Sequence, residues 1–92
     1  MPAFSSAEIT QGLTAIPEWR LENGALARSF SFTDFREAMS FVNSVAAVAE
    51  RAGHHPDIDI RYNKVNLALS SHDAGGITER DFSLAAEIGK IL

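Results

Sequence analysis

Two stretches of unbroken apolar–polar alternation, each folded back at a tight turn, constrain this chain more than any other feature. Asp57-Ile58-Asp59-Ile60-Arg61-Tyr62 and Val65-Asn66-Leu67-Ala68-Leu69-Ser70 alternate without a fault around Asn63-Lys64. A period of two places every second side chain on one face, so the pair reads as a β-hairpin. Ile58, Ile60, Tyr62, Val65, Leu67 and Leu69 are expected to face a core. Upstream, Trp19-Arg20-Leu21-Glu22 alternates in the same way and meets Asn23-Gly24. Asn-Gly suits a two-residue hairpin turn because both residues tolerate positive φ. Leu26, Phe30 and Phe32 resume the alternation, with Arg28 the exception on that face. A second hairpin is therefore predicted from about Glu18 to Phe32. Two hairpins make one antiparallel sheet, and its apolar face needs helices across it.

Three segments supply those helices. Ser5-Ser6-Ala7-Glu8 reads as a capping box, followed by Ile9, Leu13 and Ile16 at helical spacing and closed by Pro17. Thr33-Asp34 opens the longest element. There Phe35, Ala38, Met39, Val42, Val45, Ala46 and Ala49 keep a 3.6-residue period, and Gly53 supplies the stop. Phe41, Ser44, Val45 and Val48 form a second strip on this helix. It predicts either an oligomer contact or simply a wider core stripe. Thr78 is the expected N-cap of the last helix. Glu79 and Asp81 complement its dipole, and Phe82, Ala85, Ala86, Ile88 and Ile91 form its buried face. The predicted order is α-β-β-α-β-β-α: an α+β fold with a four-stranded antiparallel sheet covered on one face by helices. Residues 1–92 make a single domain, since no repeat, linker or low-complexity tract divides them.

Composition narrows the function classes. At 92 residues and 46% apolar the chain suits one small globular domain. It has no cysteine, which excludes disulfides, thiolate zinc sites and thiol catalysis. Eight basic against twelve acidic residues give a net charge of −4, a poor surface for nucleic acid. No apolar run approaches the roughly 18 residues of a membrane span, and no leader pattern opens the chain. A cytoplasmic protein is the expectation.

The chain has three histidines, each at a junction between elements. His54-His55-Pro56 follows the long helix, and His72 follows the fourth strand. If Tyr62 pairs with Val65 and Asp57 with Ser70, His55 and His72 meet across the hairpin end. Three readings stand side by side. Imidazoles with an unperturbed pKa of about 6.5 exchange protons near neutrality, with Glu50 and Asp73 available to orient them. Three histidines could also hold zinc, although adjacent histidines on an extended segment diverge and no HExxH spacing occurs. Alternatively, His54 and His55 only cap the helix and His72 fills a turn. Gly75-Gly76 could receive an anion at a helix start, but no P-loop lysine and no GxGxxG accompanies them.

The blocks Glu50-Arg51-Ala52-Gly53-His54-His55-Pro56, Tyr62-Asn63-Lys64-Val65 and Ser71-His72-Asp73-Ala74-Gly75-Gly76-Ile77-Thr78-Glu79-Arg80-Asp81 closely resemble the pterin-4a-carbinolamine dehydratase family. Phe30-Ser31-Phe32-Thr33-Asp34-Phe35 resembles it too, so the likeness runs from about Trp19 to the C-terminus. The resemblance implies the fold just read, assembled as a dimer or tetramer. It implies a hydro-lyase that dehydrates 4a-hydroxytetrahydropterin to quinonoid dihydropterin, recycling the pterin used by aromatic amino acid hydroxylases, with no metal or organic cofactor. By position, His55 becomes the principal acid/base, His54 a second acid/base and pterin contact, and His72 the group that orients the hydroxyl. Pro56, Ser71, Asp73 and Ala74 line the pterin pocket, and Glu50 is the supporting carboxylate. Ile58 stands where many animal members carry an aromatic residue, and Gly53 where some carry an acid. The competing reading within the same fold is a protein-binding module, used in transcriptional coactivation or protein assembly.

Overall fold

In a computed structural model describing residues 2–92, the seven principal elements follow the predicted order. They are α1 (Ser6–Leu13), β1 (Arg20–Glu22), β2 (Ala25–Ser31), α2 (Phe35–Ala52), β3 (Asp57–Arg61), β4 (Lys64–Leu69) and α3 (Glu79–Gly89). A 3-10 turn, His72–Ala74, interrupts the path from β4 to α3. The four strands form one antiparallel sheet in the order β1-β2-β4-β3.

Local chemistry sets the boundaries. Ser5 and Glu8 exchange side-chain and backbone hydrogen bonds in a capping box at α1. The Asp34 carboxylate accepts from the Glu37 amide at the start of α2. Gly53 ends that helix at φ 66°, a left-handed conformation that a side chain would strain. Asn23 and Gly24, at φ 51° and 77°, make the β1–β2 turn with the two positive φ values it requires.

The core lies between the sheet and its helices. Leu26 and Phe30 of β2 and Val65, Leu67 and Leu69 of β4 meet Ile9, Val45, Ala49, Leu84 and Ile88. Arg28 interrupts this face, and its guanidinium lies 4.5 Å from the centre of the Phe30 ring, where the aromatic face receives the charge. The opposite face of the sheet is polar. There Ser29 donates to Asn66 at 2.7 Å, and Asn66 donates to Asp59 at 3.1 Å.

Several expectations from the sequence change. β3 is an edge strand, so Ile58 (37% exposed), Ile60 (36%) and Tyr62 are not core residues. Its two-residue turn is Tyr62-Asn63 rather than Asn63-Lys64, with Arg61 opposite Lys64 and Asp57 opposite Ala68. Asn63 explains the shift: its side chain donates to the Phe32 carbonyl at 2.8 Å, and its own carbonyl accepts from the Phe32 amide. That leaves Tyr62 to take the positive φ of 54°.

The strip on α2 also changes. Phe41 and Val45 belong to the core of this same chain, with the Phe41 ring tilted against Phe30 at 4.6 Å and Phe32 at 5.1 Å between centroids. Val48 packs against that core, so the strip widens the core stripe and supplies no free apolar face. Phe35 and Ala46, placed in the core by periodicity, are exposed instead. On α3, Leu84 and Asp81 are buried while Ala86 is exposed.

Candidate active site

The end of α2, the turn after β4 and the start of α3 converge on one carboxylate. Asp81 is the third residue of α3, and its position in the capping box turns the side chain back over Thr78. It is 0% exposed. One oxygen, Oδ1, lies 2.5 Å from His54 Nε2. The other, Oδ2, accepts from the Ser71 hydroxyl and the Thr78 amide, each at 2.9 Å.

Donor accounting fixes the hydrogens in this cluster. An ionised carboxylate only accepts, so the hydrogen of the His54–Asp81 contact is the one on Nε2. Ser71 has one hydroxyl hydrogen and gives it to Asp81. The 2.9 Å contact between Ser71 Oγ and Thr78 Oγ1 must then be donated by Thr78. Thr78 Oγ1 in turn accepts from the Arg80 amide at 3.3 Å. No buried side-chain nitrogen or oxygen among the described residues lacks a partner. His54, whose side chain is 11% exposed, thus points Nε2–H at Asp81, and among the described residues no hydrogen bond reaches its Nδ1.

His55 has a different setting. Its Nε2 lies 2.5 Å from Glu50 Oε2, but the two side chains are 63% and 77% exposed. Glu50 sits in the last turn of α2 and His55 just beyond the Gly53 cap, so the helix end itself brings them together. Pro56 follows at the start of β3, half-buried.

His72 opens the 3-10 turn and is exposed. The register that would set it opposite His55 is not the one formed. With Asp57 opposite Ala68, the strand register sets His55 level with Ser70, two residues short of the expected pairing. The carboxylate beside His72 does not orient it either: Asp73 accepts from Arg80 Nη2 at 2.7 Å. That hydrogen bond, with the guanidinium charge, holds the Asp73 carboxyl below the usual carboxylate range, and His54 adds a smaller push the same way. Ser71 is buried and Ala74 half-buried. His54 and the root of the Ser71–Ala74 turn are thus joined through Asp81, not by cross-strand pairing.

Volume alone does not choose this site. A groove of about 630 Å³ runs between α1 and α3 past Phe4, Gly12 and Phe82, and no histidine lines it. A recess of about 250 Å³ reaches His54 together with Ala52, Arg80 and Leu84. The chemistry points to the smaller one, because His54 lines it and the Nε2 of that ring meets the buried Asp81 carboxylate.

Asp81, Thr78 and Arg80 are the functional candidates that site reasoning from sequence missed. The available signal was the Thr-x-x-Asp spacing: an acid at the third helical position points back toward the chain entering the helix, here the Ser71 segment.

Comparison with known proteins agrees over nearly the whole length. The sequence profile described as pterin 4 alpha carbinolamine dehydratase matches residues 2–91. A Chloroflexus aurantiacus protein provisionally named pterin-4-alpha-carbinolamine dehydratase is 56% identical over 92 residues, covering 100% of this chain and 99% of its own. An Acidobacterium capsulatum protein with the same provisional name is 54% identical over 92 residues, covering 100% of both chains. The crystal structure of a transcriptional coactivator/pterin dehydratase from Brucella melitensis superimposes with a TM-score of 0.91 at 33% identity, over 97% of each chain. A pterin dehydratase-like protein identified as a RuBisCO assembly factor in the alpha-carboxysome gives 0.68 at 26% identity, over 80% of this chain and 88% of its own.

Proposed function

The chain belongs to the pterin 4 alpha carbinolamine dehydratase family, and we propose that it dehydrates a 4a-hydroxytetrahydropterin by histidine general acid/base catalysis. The observation that carries the reading is the pair of adjacent imidazoles, each with its Nε2 held by a carboxylate. The reaction needs two proton transfers: one onto the C4a hydroxyl, which leaves as water, and one away from N5 as the C4a=N5 double bond forms. The protons balance, so one acid and one base suffice. His55, exposed and steadied by Glu50, serves as the principal acid/base. His54 serves as the second and contacts the pterin. His72 orients the departing hydroxyl, while Pro56, Ser71, Asp73 and Ala74 frame the ring. The product would return to service as the reduced cofactor of an aromatic amino acid hydroxylase.

Self-association into a dimer or tetramer is part of the proposal, now on different grounds. The support is the edge strand β3, with Ile58 and Ile60 partly exposed beside unpaired backbone groups. Sedimentation at micromolar concentration tests it, and a monomer would remove it.

A second reading, a protein-binding module, draws support from the two structural neighbours named as coactivator and assembly factor. Stopped-flow dehydration by the wild type and by His54→Ala, His55→Ala and His72→Ala, with melting points on the same samples, separates the two. The enzyme reading expects His55→Ala to lose rate while keeping its fold. Equal rates in all four proteins would refute it.

A further inference from the structure

The segment that carries His72 is tethered unevenly. At its root, Ser71 is buried and bonded to Asp81 and Thr78, and its backbone bridges Gly76 at 2.8 and 3.2 Å. At its tip, Ala74 and Gly75 bond only back to Ser71 and His72, at 3.0 and 3.1 Å. Among the described residues, one hydrogen bond ties residues 72–75 to another element: Arg80 Nη2 to Asp73 Oδ1 at 2.7 Å. Arg80 is the second residue of α3, immediately before the buried Asp81, so its backbone is as fixed as the cluster it flanks.

We propose that Arg80 is a positioning residue for the pterin site, holding the His72–Ala74 turn against α3 through Asp73. This inference rests on the dehydratase reading only for its kinetic consequence; the tether itself does not depend on it. Without the tether, a short turn stitched only to itself can hinge about Ser71 and Gly76. The substrate must then select the docked conformer, and that selection cost appears in binding rather than in the chemical step. The pair is exposed and makes a single contact, so the effect is modest.

The test compares Arg80→Met, Arg80→Lys, Asp73→Asn and the double Asp73→Asn/Arg80→Met by amide hydrogen exchange and steady-state dehydration. Arg80→Met should speed exchange at the Ala74 and Gly75 amides and raise KM roughly two- to fivefold, the reach of an exposed ion pair. Its kcat should stay within about twofold of wild type. Arg80→Lys should restore much of both, because one amino group can replace the single Nη2 contact. The double variant should be no worse than the worse single one. Unchanged exchange at Ala74 and Gly75, or a fall in kcat with KM unmoved, would overturn the proposal. A wild type without dehydratase activity would instead defeat the functional reading, and the exchange data would still decide the tether.

Discussion

His54 and His55 are neighbours in the chain, and each holds a carboxylate at 2.5 Å, yet the two pairs are physically different. The His54 partner, Asp81, is wholly buried and takes two further donors. The His55 partner, Glu50, stands mostly in water. A charge removed from water must have every lone pair met, and breaking one contact strands the rest. A charge left in water loses little, since solvent replaces the missing partner. Distance alone therefore says nothing about what a contact sustains. One imidazole is built into the fold, and the other is mounted on it.

The largest effect expected from this contrast is on stability. Asp81→Ala leaves His54, Ser71 and the Thr78 amide without an acceptor, at a cost of about 1–3 kcal/mol for each buried donor left unmet. That is a large share of the roughly 5–15 kcal/mol holding a domain together, and each kcal/mol moves Tm by about 4–8 °C at this size. Thermal denaturation checks it, and a Tm within a few degrees of wild type would break the comparison. Next comes His55→Ala, which should lower kcat about 10²–10⁴-fold while changing stability by no more than about 0.5 kcal/mol. His54→Ala should lower both rate and Tm. If the two alanine variants proved equally stable, the buried and exposed pairs would not differ as argued.

Salt sharpens the contrast. In about 1 M NaCl the screening length falls to roughly 3 Å, so exposed pairs weaken while a buried one is spared. The His54 Nε2–H should give a slowly exchanging proton resonance that persists in high salt. No such resonance is expected from His55.

The smallest effect is at acid pH. Arg80 lowers the Asp73 pKa on folding, so the Asp73 tether is fully present above the unfolded carboxylate value of about 3.9. It is lost as pH falls through the lower folded value. Carboxyl carbon shifts of Asp73 across pH 2–5 read this directly, and a midpoint at or above about 3.9 would contradict it.

Much of the fold was legible because its signals are local. Ser5 with Glu8, Asp34, Gly53, Thr78 and the Asn23-Gly24 turn each act within a few residues, and all five sit where the pattern puts them. The errors lie where distant parts of the chain decide. Alternation in β3 groups Ile58 with Ile60 correctly but is silent on strand order, and order put β3 at the edge. Alternation is blind to a two-residue register shift, because a period of two leaves every side chain on its own face. Phe41 was ambiguous because only its packing against Phe30 and Phe32, some ten residues upstream, shows which side is the core. At the site, the histidines were readable as candidates, but Asp81 was not. An acid in the first turn of a helix looks the same in sequence whether it faces water or closes a buried cluster.

The hydrogen inventory around Asp81 has a consequence for how protons travel. Each hydroxyl and amide hydrogen in the chain from Arg80 through Thr78 and Ser71 to Asp81 is already committed in one direction. Reversing the Ser71 hydroxyl would deprive Asp81 Oδ2 of a donor and set two hydroxyl hydrogens against each other. The cluster is thus a dead end for proton conduction: it sets the bearing of the His54 ring and passes nothing inward. While Nε2–H stays bonded to Asp81, a proton that His54 takes up is carried on Nδ1, so its turnover is coupled to whatever meets that nitrogen rather than to the Ser71 and Thr78 hydroxyls.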